Sequence, residues 1–147
     1  MSNERWKKVR GWPYEVSDYG RVRSIDRVVK RSDGQFRFWR GRVLRPGISK
    51  QLGYPTMVLC NQGWGKATLV HLLVAVAFLP PRPDGHEINH KDGDKANPHH
   101  TNLEWITHSE NARHSIMNGS RKIFKFKNRR TGKIEERINH YGTLSKI

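Results

Sequence analysis

HEINHKDGDKANPHHTNLEWITHSENARHS, residues 86–115, decides the fold of this chain. It opens on an apolar-edged strand, HEINH, crosses a polar loop rich in Asn, Asp and Gly, and resumes as a second strand, NLEWI. A helix follows with an explicit start signal, because Thr107 and Glu110 form the T-x-x-E pattern that satisfies first-turn amides. Gly119 supplies a stop. The succession strand, loop, strand, helix can carry His90, Asn102 and Asn111, spaced by 12 and 9 residues, to one point. Imidazole and carboxamide groups together suggest a single divalent metal with a base beside it. Each residue alone also fits a bland reading, a turn former or a satisfied core histidine. That reading leaves the joint spacing and the capped helix unexplained.

Ahead of this stretch, VHLLVAVAF (70–78) is apolar nearly all round and stopped by Pro80-Pro81, which predicts a short core helix with His71 as a structural histidine. YPTMVLC reads as a strand, NQGWGK as a turn and ATL as a short return strand. In the N-terminal third, YEVSDYGRVRSI turns at Ser17 to Gly20 and RVVKRSDGQFRFWR turns at Asp33-Gly34. Arg21, Arg23 and Arg27 share one parity, Arg37 pairs with Trp39, and Phe36, Phe38 and Arg40 take the opposite face. Basic and aromatic residues interleaved on strands suit a phosphate-tracking surface, or else guard a solvated edge. The C-terminal RKIFKFKNRRTGKIEERI reads as a basic hairpin carrying Lys125, Lys127, Arg129 and Arg130.

Charge sharpens the picture. The 147 residues carry a net charge of +15, which implies a polyanionic partner, nucleic acid before membrane. Residues 1–60 hold 14 Lys/Arg against 5 Asp/Glu, residues 61–120 hold 5 against 6, and residues 121–147 hold 9 against 2. The polar constellation thus lies in a nearly neutral centre between two basic flanks. No apolar run is long enough for a bilayer span, and the N-terminus does not read as a signal peptide. The single Cys60 leaves no internal disulfide or Cys-rich zinc module, so no structural zinc is expected, and a cytoplasmic setting is.

INHKDG, NLEWITHSEN and the leading LVHLLVAVAFLP resemble the HNH endonuclease family, in the phage and intron-encoded homing branch whose last motif residue is Asn. ERWKKVRGWPYEVSDYGRVRSIDR resembles the NUMOD4-type module that precedes such nucleases. The resemblance implies an α+β chain with a small ββα-metal core. It suggests a basic β-rich module over 1–50, the nuclease core over 51–120 and a basic extension over 121–147. It implies that His90 is the general base, that Asn102 pins the loop and so holds His90, and that Asn111 ligates one Mg2+ or Mn2+. The residue before the base is usually the other ligand. Here that is Asn89, where the family often carries Asp. The expected partner is double-stranded DNA, gripped through Arg21, Arg23, Arg27, Arg37, Arg40 and the C-terminal basic residues. A monomer or weak homodimer would cut it, leaving 5′-phosphate and 3′-hydroxyl ends. A non-catalytic nucleic-acid binder on a degenerate scaffold is the alternative.

Overall fold

A computed structural model describes residues 3–117, 119, 123–127 and 134–138, the last two segments as backbone. Short antiparallel strands open the chain. β1 (Trp6–Lys8), β2 (Tyr14–Ser17) and β3 (Val22–Ser24) pair in succession, β4 (Arg27–Lys30) and β5 (Phe36–Trp39) form a separate hairpin, and β6 (Val43–Leu44) returns to β3. Both expected turns are present.

The shared parity brings Arg21 and Arg23 over the same Trp6 ring but does not extend to Arg27. The strand breaks at Ile25-Asp26, where the Asp26 carboxylate accepts the Gly41 amide at 2.6 Å. Arg21 precedes β3, whereas Arg27 belongs to the other sheet.

β7 (Gly47–Ile48), β8 (Pro55–Asn61) and β9 (Trp64–Leu69) form a three-stranded sheet. Its pairing runs further than NQGWGK suggested, to Asn61 opposite Trp64. The turn itself is only Gln62-Gly63, with φ of 47° and 85°. Two consecutive positive φ values match the twist of the flanking strands, so the ladder continues to the turn.

α1 (Val70–Phe78) buries Val70, His71, Val74 and Ala75. Leu72 and Val76 are exposed, so this apolar helix is covered on one side and is not core all round. Its buried side meets Tyr14, Val16 and Val22 of the first sheet, Met57 and Leu59 of β8, and Leu103. Each fully buried Val or Leu contributes about 1.5–3 kcal/mol before chain entropy is set against it. The N-terminal strands and the segment beyond residue 50 therefore share one core.

Leu103 belongs to the unit that the opening stretch encodes. β10 (His86–His90) and β11 (Leu103–Thr107) pair antiparallel and α2 (His108–Met117) follows. Thr107 caps α2: its amide donates to the Glu110 carboxylate at 2.8 Å, and its hydroxyl accepts the Glu110 amide at 3.3 Å. Gly119, at φ 67°, ends the turn with its amide on the Ile116 carbonyl. β12 (Ile123–Lys127) and β13 (Ile134–Ile138) form the C-terminal hairpin. Lys125 and Lys127 fall in β12, while Arg129 and Arg130 lie outside the described residues. The chain is α+β, with the ββα unit packed on the core by its Leu103 face.

Candidate functional site

The loop between β10 and β11 has no ladder of its own, so side chains must meet its backbone groups. Asn102 does much of this. Its amide nitrogen donates to the Asp92 carboxylate at 2.9 Å and the Asn97 carbonyl at 3.0 Å, and its oxygen accepts the Asp92 amide at 3.1 Å. Asp92 also accepts from the Asn97 side chain and the Asp94 amide, and Asp94 accepts the Ala96 amide. Hydrogen bonds from Asn97 and then Asn102 hold the Asp92 carboxyl below its usual range. Both loop aspartates are turn formers.

The loop is also held from outside. The Asp18 carbonyl accepts the His100 amide at 2.8 Å, and Tyr19 meets His99 edge-on at 4.7 Å. Asp18 is buried and bound by the Arg5 amide and guanidinium. Burial pushes its carboxyl up, but the hydrogen bonds and charge of Arg5 leave it below the usual value. Pro98 seats on Gly20, where a Cβ would lie 2.2 Å from the proline Cγ. The β2–β3 turn thus forms a cradle for the loop, a feature that local sequence pattern did not reveal.

Register separates the hairpin into two faces. Directly opposed residues share a face, so Glu87, Asn89, Glu104 and Ile106 lie on one side, and Ile88, His90, Leu103 and Trp105 on the other. On the first face, the Asn111 amide of α2 donates to Glu87 at 2.7 Å, and the buried Asn89 amide donates to Glu104 at 2.8 Å. His108 Nδ1 stands 3.3 Å from the same Glu87 oxygen. A carboxylate can only accept, so each carboxamide must present its NH2 end to its glutamate, which turns the carbonyl oxygen away. Asn89 and Asn111 are thereby brought to one face. Sequence reading missed Glu87, Glu104 and His108; the period of two that groups Glu87 with Asn89 was the available signal.

His90 faces the other way. Its ring stacks on Tyr54 at 5.6 Å and meets His71 edge-on at 5.0 Å, and the residue is only 5% exposed. No hydrogen bond joins it to Asn89 or Asn111 among the described residues. Its Nε2 and the Nδ1 of His71 are buried without a hydrogen-bond partner, which leaves Nδ1 as the His90 nitrogen not enclosed in this way. Burial pushes His90 below the usual imidazole range, against the pull of Asp92 and Asp94. Burial, and then the proximity of His90, lowers His71 to about 4. Both rings are therefore neutral at neutral pH.

Among the described residues no group of three or more His, Cys, Asp or Glu is placed to hold a metal ion. Asn89 and Asn111 each carry one carboxamide oxygen not engaged by the glutamate that binds their NH2 end. These are hard oxygen donors of the kind that Mg2+ and Mn2+ take.

The basic residues divide. Arg21 is paired with Glu4, and Arg23 binds Glu15 at 2.7 Å while stacking on Trp6 at 4.1 Å. Arg27 and Arg37 lie over Trp39, and no acidic partner is found for Arg27, Arg37 or Arg40 among the described residues. They sit on the β4–β5 hairpin, whose aromatic residues Phe36, Phe38 and Trp39 are exposed.

Residues 4–60 match the NUMOD4 motif and residues 68–113 match the HNH endonuclease family. The chain is 34% identical over 122 residues to DNA endonuclease I-HmuI of Bacillus phage SP01, covering 82% of this chain and 62% of that protein. It is 34% identical over 124 residues to an uncharacterized HNH endonuclease, L245, of Acanthamoeba polyphaga mimivirus, covering 84% of this chain and 33% of that protein. The chain therefore spans about a third to three fifths of the length of these curated relatives. A solved structure of DNA binding and cleavage by the HNH homing endonuclease I-HmuI aligns with a TM-score of 0.62 at 29% identity, covering 90% of this chain and 77% of that one.

Proposed function

Because the chain belongs to the HNH endonuclease family, we propose that it is a DNA endonuclease that hydrolyses phosphodiester bonds in duplex DNA with one Mg2+ or Mn2+ per site, leaving 5′-phosphate and 3′-hydroxyl ends. The observation that carries this reading is the ββα unit itself, with Asn89 and Asn111 gathered on one face and His90 next in sequence at the strand end, its ring on the other face.

Asn89 and Asn111 would hold the cation through their carbonyl oxygens. When bound, such a cation polarises a phosphate oxygen and stabilises charge on the departing one. His90 takes the proton from the attacking water on Nδ1, its Nε2 being enclosed. Its lowered proton affinity keeps it neutral and ready to accept. Asn102 fixes the loop that follows His90 and so acts by position. Arg27, Arg37 and Arg40 grip phosphates from the β4–β5 hairpin. Arg21 and Arg23, already neutralised by Glu4 and Glu15, contribute less to that grip. A monomer carries one site and cuts one strand.

Supercoiled plasmid tests the reading. Relaxed circles should appear with Mg2+ and vanish in His90→Ala, which should still retard DNA in a gel. Linear product would mean paired cuts by two copies. Equal cleavage by His90→Ala would end the assignment, and no cleavage under Mg2+ or Mn2+ would leave a DNA binder on a nuclease scaffold.

A further inference from the structure

Two neutral carboxamides make an odd ligand pair for a dication, and the structure points to what compensates. Each amide nitrogen is occupied by a carboxylate, Asn89 by Glu104 at 2.8 Å and Asn111 by Glu87 at 2.7 Å. Glu104 stands directly across the ladder from Asn89, on the same face as Glu87 and Asn89. We propose that Glu104 and Glu87 are positioning residues of this site: each locks one carboxamide with its carbonyl oxygen toward the cation, and together they supply the negative charge that the two ligands lack.

Two physical effects follow. A carboxylate on the NH2 end polarises the amide and makes its oxygen a stronger donor. Two carboxylates bonded to the NH2 ends of the ligands also raise the local cation concentration. The arrangement explains why Asn is tolerated at position 89. An Asp there would face Glu104 across the same short contact, acceptor against acceptor, and one of the pair would have to protonate or swing away.

The proposal rests on the metal reading above, so its test must separate the two. Mn2+ is titrated into the 15N-labelled full chain, and paramagnetic broadening of the Asn89 and Asn111 side-chain NH2 signals is followed. In the wild type both pairs should broaden together. Glu104→Gln keeps an acceptor in the same place, so the fold and the Asn89 contact survive while the charge is lost. That variant, and Glu87→Gln likewise, should need about tenfold more Mn2+. Asn89→Asp alone should gain little, because the new carboxylate abuts Glu104. Asn89→Asp combined with Glu104→Gln restores both the charge and the donor–acceptor match, and should recover the wild-type midpoint or better. A mere packing role for Glu104 predicts no such rescue. If both Gln variants stay within about twofold of wild type while Asn111→Ala abolishes the broadening, the proposal is wrong and the metal site stands. If neither NH2 pair broadens in the wild type, the metal reading fails and takes the proposal with it.

Discussion

Substitution of Gly20 by Ala probes how the N-terminal turn supports the loop that ends at Asn102. Gly20 adopts φ +82°, and a Cβ there would lie 2.2 Å from Cγ and 3.0 Å from Cβ of Pro98. The left-handed backbone costs a non-glycine residue roughly 1–2 kcal/mol. Forcing a ring carbon aside in a packed contact adds about 1–3 kcal/mol, since proline has no flexible tip to swing away. The sum, about 2–5 kcal/mol, is a large share of the roughly 5–15 kcal/mol that holds an ordinary domain. Gly34 provides the control, with the same φ of +82° and nothing within 4 Å of its added Cβ. Gly34→Ala should therefore lose only the backbone part. Urea unfolding of both variants isolates the Pro98 contact as their difference, and plasmid cleavage under folding conditions reports on the loop. Gly20→Ala should lose cleavage beyond its loss of folded protein, whereas Gly34→Ala should not. Equal stability of the two variants would refute the docking of Pro98 on this turn.

Asn102→Ala removes three hydrogen bonds inside the loop and should cost about 1–3 kcal/mol in urea melts as well as activity; lost activity at full stability would contradict a positional role. His71, held at about 4 in the folded chain and near 6.5 when unfolded, binds its proton more readily in the unfolded state. Its contribution to stability is complete above pH 6.5 and is lost as pH falls toward 4, by roughly 2 kcal/mol after partial solvent screening. Urea melts across that range should show a smaller slope for His71→Leu than for wild type, and identical slopes would remove the effect. Arg37→Ala and Arg40→Ala should each flatten the salt dependence of duplex binding by about one unit in the log–log slope. Arg23→Ala, whose partner Glu15 already neutralises it, should change that slope much less in the same fluorescence titrations.

Local chemistry made part of this molecule legible. Thr107 and Glu110 announced the helix because a capping box is written in four consecutive residues. The Asp33-Gly34 and Ser17–Gly20 turns were equally local. Parity failed for Arg27 because alternation holds only within an unbroken strand, and Asp26 interrupts it by binding Gly41. The outward side of α1 was misread because composition does not say which face another element covers. Glu87 and Glu104 stayed hidden for a different reason. Their role depends on the ladder register, which a twelve-residue loop does not fix, and on which face α2 covers. The Asp18–His100 and Gly20–Pro98 contacts join residues about eighty apart and carry no periodic signal at all.

A cation shared by two carboxamides is the centre of the proposed chemistry. Crystals of the chain with duplex DNA and Mn2+, measured at the manganese edge, test it most directly. One anomalous peak is expected within about 2.2 Å of the carbonyl oxygens of both Asn89 and Asn111, beside a phosphate. A peak on the Asp92–Asp94 turn, or bound DNA with no manganese at the two asparagines, would contradict it.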